Sequence, residues 1–313
     1  MSKAQAVSLF TGCGGSDVGL NNAGFDVIFA NDIFPYACDT YSLNMPETKV
    51  ICGDVSRIKR FPEADLLVGC YPCQGFSQGG ARDPSRKINY LYREFDRALR
   101  QIKPKAFIVE NVSGMVRANF NHLLMNQVYR FRMAGYKVEK PTVLNACDYG
   151  VPQTRSRVFI VGIRSDLGVR YEYPKPTHGP TTDTKHISQK DVLSRMPIDP
   201  VGDYYNCGFH WYYLSRNRRR DWDQPSATIV SNPRHMPLHP SSPPLLKHGE
   251  NDWKFVDDRP ARRFSYKEAA LLQGFKKSFK FPEGSLIQKY TVIGNAVPPP
   301  LFEAVAGALP EIW

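Results

Sequence analysis

No stretch of this chain approaches the roughly 18 consecutive apolar residues that a membrane span needs. Met1–Val7 holds no long apolar segment of the signal-peptide kind. There is no cysteine framework either: seven cysteines, an odd number, are scattered over 313 residues, which does not suit a disulfide-stapled secreted domain. Low-complexity tracts and internal repeats are missing, and 42% hydrophobic with 12% aromatic residues is enough to bury a core. Acidic residues are the scarcer charge. Against 30 Asp and Glu stand 41 Lys and Arg, a formal net charge of +11, which favours a polyanionic partner and says nothing of fold. The expectation is a soluble, cytoplasmic, basic protein of one large domain or two unequal ones, with no membrane attachment.

What is present is alternation. Ala6–Phe10, Val27–Ala30, Val50–Cys52, Leu66–Gly69, Phe107–Val109 and Val158–Val161 are short apolar runs, the pattern of parallel strands buried on both faces. Helical patterns lie between them. Leu91, Phe95, Ala98, Leu99 and Ile102 share one helical face, and Pro104 stops that helix. Phe120–Ala134 predicts a second helix, closed by Gly135. This order predicts an α/β fold with a doubly wound, mostly parallel sheet. From Ser165 to Arg262 the pattern changes: 12 of the 25 prolines fall there, with little periodicity. Trp211, Tyr212, Tyr213, Trp222 and Trp253 make that segment too aromatic for a linker, so it reads as a loop-rich second domain. Regularity returns at Ser265-Tyr-Lys-Glu268, a capping box opening a short helix that Gly274 closes, and a last helix follows Pro300.

The first strand runs into Phe10-Thr-Gly12-Cys-Gly14-Gly15. A glycine-rich turn between strand and helix lets a nucleotide-like ligand approach the backbone and the helix N-terminus. Asp32, at the end of the second strand, stands where a carboxylate meets a ribose hydroxyl, and Asp54 after the third is placed to accept from an adenine amino group. These residues point to a nucleoside-bearing cofactor, and leave nicotinamide dinucleotide and S-adenosylmethionine both open. Cys70-Tyr-Pro-Cys73 follows the fourth strand. Alone, it reads as a thioredoxin-like redox pair. Against this, Gln74-Gly-Phe-Ser77-Gln-Gly-Gly80 continues as a glycine-rich loop rather than a helix. The other reading makes Cys73 a nucleophile on the rim of the sheet, where doubly wound folds place their chemistry. Glu110 closes the fifth strand and reaches the same edge, while Arg155 and Arg157 sit at period two before Val158.

Together these residues resemble the C5-cytosine DNA methyltransferases of the bacterial type. Phe10-x-Gly12-x-Gly14, Pro72-Cys73-Gln74, Glu110-Asn111-Val112, Gln153-x-Arg155-x-Arg157, Arg263-x-x-x-x-Glu268 with Gln273-Gly274-Phe275, and Gly294-Asn295-Ala296-Val297-Pro298 stand in that family's order. The resemblance implies a catalytic and cofactor-binding domain of residues 1–165 plus 275–313, whose last segment returns to the sheet. Residues 166–274 would form the target-recognition domain and hinge. It implies S-adenosylmethionine as cofactor and double-stranded DNA as substrate. By the family's chemistry, the Cys73 thiolate adds to C6 of a flipped cytosine, Glu110 stabilises N3, Arg157 holds O2, Arg155 supports the loop, and C5 takes the methyl group. Phe10, Gly12, Gly14, Asp32, Ile33, Asp54, Val55, Pro72, Leu91, Asn295 and Val297 become candidates for the cofactor pocket. Two departures stand out: the family usually has glutamate where Asp32 stands, and often glycine and proline where Cys70 and Tyr71 stand. Cys70 so close to the nucleophile raises the expectation that oxidation joins it to Cys73 and blocks activity.

Leu214-Ser-Arg216-Asn-Arg218-Arg219-Arg220-Asp-Trp222 puts four arginines in five positions, and Ser231-Asn-Pro-Arg234 follows. Arginine reads guanine bidentately, although a solvated cluster or a phosphate grip has the same composition. The stretch resembles the recognition domain of bacterial members that methylate GGCC, which makes Arg216, Arg218, Arg220 and Arg234 the candidate DNA readers of a short GC-rich palindrome. Cys207, His210, His235 and His239 do not make a convincing metal set, and no metal is expected. A thiol-disulfide oxidoreductase would use Cys70 and Cys73 and leave Glu110 and the arginines idle. A dehydrogenase leaves Pro72-Cys73-Gln74 without a role. A tRNA cytosine-C5 methyltransferase shares the catalytic motifs, but its Cys-Phe-Thr signature is missing here. A non-enzymatic DNA-binding module would not need Cys73, Glu110 and Arg157 together. The resemblance further implies a monomer on DNA in a bacterial cytoplasm, associated with the nucleoid, with a cognate restriction endonuclease acting separately. Ser165–Arg262 carries 14 Lys and Arg against 12 Asp and Glu, so most of the positive charge lies outside it and acts as general phosphate attraction.

Overall fold

The apolar runs become strands of one sheet. In the computed structural model, which describes residues 3–72, 90–117 and 120–313, these are β1 (Gln5–Leu9), β2 (Asp26–Asp32), β3 (Lys49–Cys52), β4 (Leu66–Gly69), β5 (Ala106–Val112), β6 (Tyr136–Val138), β7 (Thr142–Asn145) and β8 (Ser156–Arg164). The strand order is β3-β2-β1-β4-β5-β8-β6, with β7 also paired to β8. From β3 across to β5 every pairing is parallel. Connecting them are α1 (Gly15–Asn22), α2 (Pro35–Asn44) and α3 (Tyr92–Ile102), while α4 (Asn121–Met133) follows β5. The order reverses between β1 and β4, which opens a crevice at their carboxyl ends, the place where such sheets bind ligands.

One direction differs from expectation. Val158–Val161 lies in β8, which runs antiparallel to β5, β6 and β7 rather than parallel. A strand buried on both faces shows the same apolar run in either direction, so the run alone does not set its sense; β7 and β8, joined by the ten residues 146–155, pair antiparallel. The helix register holds. Phe95, Ala98 and Leu99 of α3 are fully buried. Phe95 and Phe131 pack edge-on to Phe107 of β5, at 5.9 and 4.9 Å between ring centroids. The buried Asp96 carboxylate accepts from Arg100 and Arg130, tying α3 to α4.

The chain divides into two compact units: Met1–Asn145, Ser156–Lys175 and Leu301–Trp313 form the first, and Ala146–Arg155 with Pro176–Pro300 the second. The second contains α5 (Gln189–Leu193), α6 (Trp211–Leu214), the antiparallel pair β9 (Leu245–Lys247) and β10 (Trp253–Phe255), α7 (Tyr266–Leu272) and α8 (Leu286–Asn295). The last helix, α9 (Pro299–Gly307), continues into the first unit from Leu301. Long proline-rich stretches of the second unit form no regular element, and three of its helices need explicit starts. Capping boxes at Ser188, Ser265 and Ser285 open α5, α7 and α8. Among the described residues no helix is long and apolar enough to cross a membrane.

Candidate active site

The turn after β1 is built for close approach. Phe10 (φ 59°), Gly12 (φ 58°) and Gly14 (φ 89°) all adopt the left-handed conformation. At Gly14 a Cβ would fall 2.1 Å from the Met45 side chain and 2.9 Å from the Tyr41 ring, so only glycine lets α1 start there. Among the described residues nothing lies within 4 Å of where a Gly12 Cβ would stand. Asp32 fixes the turn from the neighbouring strand: its carboxylate accepts from the Gly12 N–H at 2.8 Å and the Phe34 N–H at 2.9 Å. Burial raises the Asp32 pKa, and these backbone donors pull it back. Beside it Ile33 stays 70% exposed, an apolar face at the crevice. Asp54 is exposed and accepts from the Ser56 N–H, which holds its pKa below the usual range; Val55 next to it is buried. Carboxylates near an exposed apolar side chain and an open backbone turn fit a nucleoside.

One residue of this turn escaped the sequence reading. Asp17, in the first turn of α1, is wholly buried and accepts from the hydroxyls of Ser8 (2.7 Å), Thr11 (2.6 Å) and Ser16 (2.9 Å). Burial raises its pKa, and the hydroxyls counter this. The available signal was an acid immediately after a glycine turn and flanked by hydroxyl residues.

The second group of candidates stands at the ends of β4, β5 and β8. Gly69 pairs with Val109, so Cys70 comes level with Glu110. The buried Tyr71 receives a hydrogen bond at its carbonyl from Asn111 Nδ2 (3.0 Å), and its hydroxyl donates to Gln127. The chain is thus held up to Pro72; Cys73 itself lies outside the described residues. Burial pushes the Cys70 thiol well above its ordinary pKa, and the nearby Glu110 carboxylate adds to this. Cys70 therefore holds little thiolate, unlike the attacking cysteine of a redox pair. Glu110 is buried, and its Oε1 lies 2.9 Å from Arg157 Nε on the adjacent β8. Burial lowers the Arg157 pKa, and Glu110 opposes that. Leu91, half-buried at the start of α3, packs on the core beneath this edge.

Arg155 belongs to the second unit. Its buried guanidinium donates to the carbonyls of Ile229 (2.8 Å), Gly294 (2.8 Å) and Ala296 (3.1 Å). Gln153, equally buried, receives the Ile229 N–H and donates to Leu272 O and Gln273. Gly294 admits the 230–231 backbone: a Cβ there would lie 2.2 Å from Ser231 N. Asn295 is exposed at the end of α8, and Val297 is buried.

The C-5 cytosine-specific DNA methylase family model matches residues 4–311. The chain belongs to that family. It is 37% identical to the Type II methyltransferase M.BspRI of Lysinibacillus sphaericus over 99% of this chain and 82% of that protein. It is also 37% identical to the Type II methyltransferase M.NgoPII of Neisseria gonorrhoeae, over 97% and 95%. Its fold is similar to that of a prophage-encoded DNA modification methyltransferase of E. coli, with a TM-score of 0.74 at 21% identity and 98% of both chains covered. The protein is a DNA (cytosine-5-)-methyltransferase that uses S-adenosylmethionine.

In the methyltransferase's second unit the arginine-rich segment is not uniform. Arg219 is taken up by Ser242 O, Pro240 O and Asp221. Arg218 is half-buried and donates to His235 O. Arg216 is exposed, with its guanidinium 4.6 Å over the Tyr212 ring and bonded to the Tyr212 hydroxyl. Arg220 is exposed and donates to the nearby carbonyls of Asn217 (3.1 Å) and Arg219 (2.8 Å); Arg234 is exposed on a tight turn. Arg262, not Arg263, makes the bidentate ion pair with Glu268, at 2.8 Å on both arms. Arg263 lies between the Phe209 and Tyr213 rings, at 4.5 and 4.4 Å.

His239 is bound into this cluster. Its Nδ1 accepts from the Ser241 N–H, its ring meets Trp222 and Phe264 edge-on, and burial pulls its pKa down to about 4 from 6.5, with Glu268 opposing. The unfolded chain binds a proton here near pH 6.5, whereas the folded one resists until about pH 4. His239 therefore destabilises the fold as pH falls through that window, by about 3 kcal/mol at its lower end. Urea unfolding from pH 7 to pH 4 should show this slope in the wild type and a shallower one in His239→Asn. Equal slopes would remove His239 from the acid sensitivity.

Proposed function

We propose that the enzyme methylates C5 of a cytosine within a short GC-rich duplex sequence, GGCC on the resemblance of residues 215–228, by covalent catalysis through Cys73. The observation that carries this reading is the Glu110–Arg157 pair, 2.9 Å apart at the sheet edge beside the segment that leads to Pro72. Cytosine C5 is a weak nucleophile, so the ring must be activated by addition at C6. The Cys73 thiolate forms that bond, and the electron pair moves towards N3 and C5. Glu110, positioned by Arg157, hydrogen-bonds N3 in its protonated form and stabilises the negative charge that develops there as the thiolate adds. Arg157 is left with a guanidinium face for O2. S-adenosylmethionine supplies the methyl group that C5 accepts. Loss of the C5 proton then expels Cys73. The base is out of reach inside a duplex and must be extruded, at a cost of a few kcal/mol.

For the cofactor we assign Phe10, Gly12, Gly14, Asp32, Ile33, Asp54, Val55, Pro72 and Leu91 to the pocket of the first unit. Asn295 and Val297 keep their candidacy from the family pattern. Arg155 is a positioning residue of the second unit. Arg216, Arg218, Arg220 and Arg234 read the target. The activity is tested with methyl-labelled S-adenosylmethionine and, separately, duplex DNA, tRNA or no nucleic acid, followed by bisulfite sequencing of the DNA. Label in DNA, at cytosines of a GC-rich palindrome, is the expected outcome. Label in RNA alone overturns the substrate, and methylation confined to sites outside GC-rich tetranucleotides overturns the sequence preference.

A further inference from the structure

The short turn Ala146–Tyr149, a few residues before Gln153 and Arg155, brings three donor atoms of different kinds to one point. Asp148 Oδ1 lies 2.9 Å from His186 Nε2 and 3.5 Å from Cys147 Sγ, and the three residues' ligand atoms all stand within 4.8 Å of one another. All three residues belong to the second unit. Among the described residues no other such side chains converge in a group of three, and this one shares no member with Cys207, His210, His235 and His239.

Backbone hydrogen bonds hold the group together. The Asp148 carbonyl accepts from the N–H groups of Thr177 (2.9 Å) and His178 (3.0 Å), which fixes the turn against the stretch leading to His186. That stretch closes on itself: Gly179 N–H donates to Thr184 O at 2.7 Å, and the Thr182 hydroxyl donates to Gly179 O at 3.0 Å. Closure folds His186 back over Gly179. A Cβ at Gly179 would fall 2.5 Å from His186 Nε2, so glycine there clears the way for the ring. Just past His186 the chain is fixed again, where Ser188 caps α5. Cys147 is buried, whereas the His186 and Asp148 side chains are 28% and 32% exposed, so an ion can reach the group from solvent.

A hydrogen bond between imidazole and carboxylate accounts for His186 and Asp148. It does not account for a thiol at the same oxygen. In a tetrahedral zinc site, bonds of roughly 2.0–2.3 Å put neighbouring donor atoms roughly 3.3–3.7 Å apart. His186 and Asp148 need part only slightly to reach that spacing, and Cys147 already stands at it. The donor types choose the metal. Thiolate and imidazole beside one carboxylate suit zinc, cobalt(II) or cadmium, whereas magnesium and calcium prefer oxygen alone.

We propose that Cys147, Asp148 and His186 form a three-ligand site for one zinc-type dication, with water in the fourth position. The Cys147 thiol gives its proton to solvent and bonds as thiolate, and the imidazole binds through Nε2 with its proton on Nδ1. The ion staples the 146–149 turn to the stretch 177–186, and so firms the root of the segment that carries Gln153 and Arg155.

The test takes the full chain, stripped of metal by a chelator and dialysed, then loaded with cobalt(II) or zinc alone. Cobalt should bind at one equivalent and give a thiolate-to-cobalt charge-transfer band in the near ultraviolet. Zinc at about a hundredfold its Kd should raise the melting temperature by roughly 5 °C. Cys147→Ala and His186→Asn should each lose both the band and the shift. The asparagine still offers Asp148 an N–H, so the metal-free variant should melt close to the wild type. X-ray absorption at the zinc edge of the wild type needs no variant, and should show one sulfur at roughly 2.3 Å among nitrogen and oxygen neighbours. A wild type that takes up neither ion, or a zinc shell with no sulfur or several, overturns the site. A band or melting shift that survives in either variant overturns it too, because the metal then sits on other side chains.

Discussion

Glu110→Gln is expected to lower kcat on DNA by about two to four orders of magnitude, or about 3–5 kcal/mol of transition-state stabilisation. The substitution keeps shape and leaves an amide oxygen for Arg157 Nε, which now lies 2.9 Å from the Glu110 carboxylate. Folding should therefore hold, with a melting temperature close to that of the wild type. What the amide cannot do is hand a proton to N3. It can offer only a neutral hydrogen bond, so the charge that builds as the thiolate adds is left largely uncompensated in a buried site. Cys73→Ser should go further and leave no transfer, because a serine hydroxyl at neutral pH supplies far less of the anion that attacks C6. Single-turnover transfer of labelled methyl groups, beside DNA binding by fluorescence polarisation, checks both. The expected pattern is lost chemistry with retained binding. A loss below tenfold in Glu110→Gln would remove Glu110 from the proton-handling role, and loss of DNA binding would make the effect structural.

The centre of the parallel half of the sheet was legible because β1, β4 and β5 are buried on both faces and therefore mostly apolar. Val7 and Leu9 of β1, and Leu66–Val68 of β4, are all fully buried. Capping chemistry was equally direct: Ser265 and Glu268 bond reciprocally as their spacing foretold. The short antiparallel strands β6 and β7 left no such mark. They have three and four residues, and alternate buried with more exposed positions too briefly to stand out. The role of Asp17 in α1 was hidden for another reason: it is buried where a surface acid would be expected, and its hydroxyl partners Ser8 and Thr11 meet it only once the turn has formed. Spacing likewise could not say which of two adjacent arginines, Arg262 or Arg263, would pair with Glu268. That choice depends on Phe209 and Tyr213, more than 45 residues upstream, whose rings take Arg263.

Arg155 and Arg157 make the same point about spacing and yield the second large effect. Period two puts them on one side of an extended segment, yet one guanidinium goes to Glu110 and the other to three carbonyls. Two of those carbonyls, Gly294 and Ala296, stand at the end of α8, where the last turn has no helical donors left and the helix dipole is negative. Arg155→Ala would strip buried acceptors of their donor and leave a cavity, at a cost of about 3–5 kcal/mol. At this size, that is a fall of roughly 10 °C in the melting temperature of the second unit. Arg155→Lys should recover only part of it, because one ammonium on a flexible stem cannot replace a fork that reaches Ile229 as well as α8. The matched substitution Arg157→Lys should behave oppositely: it keeps a cation beside Glu110, costs little stability, and lowers kcat through the lost guanidinium face. Thermal unfolding and single-turnover rates of the two lysine variants separate these roles. If Arg155→Lys melts like the wild type and loses kcat as Arg157→Lys does, Arg155 acts on the substrate and its three carbonyls are incidental.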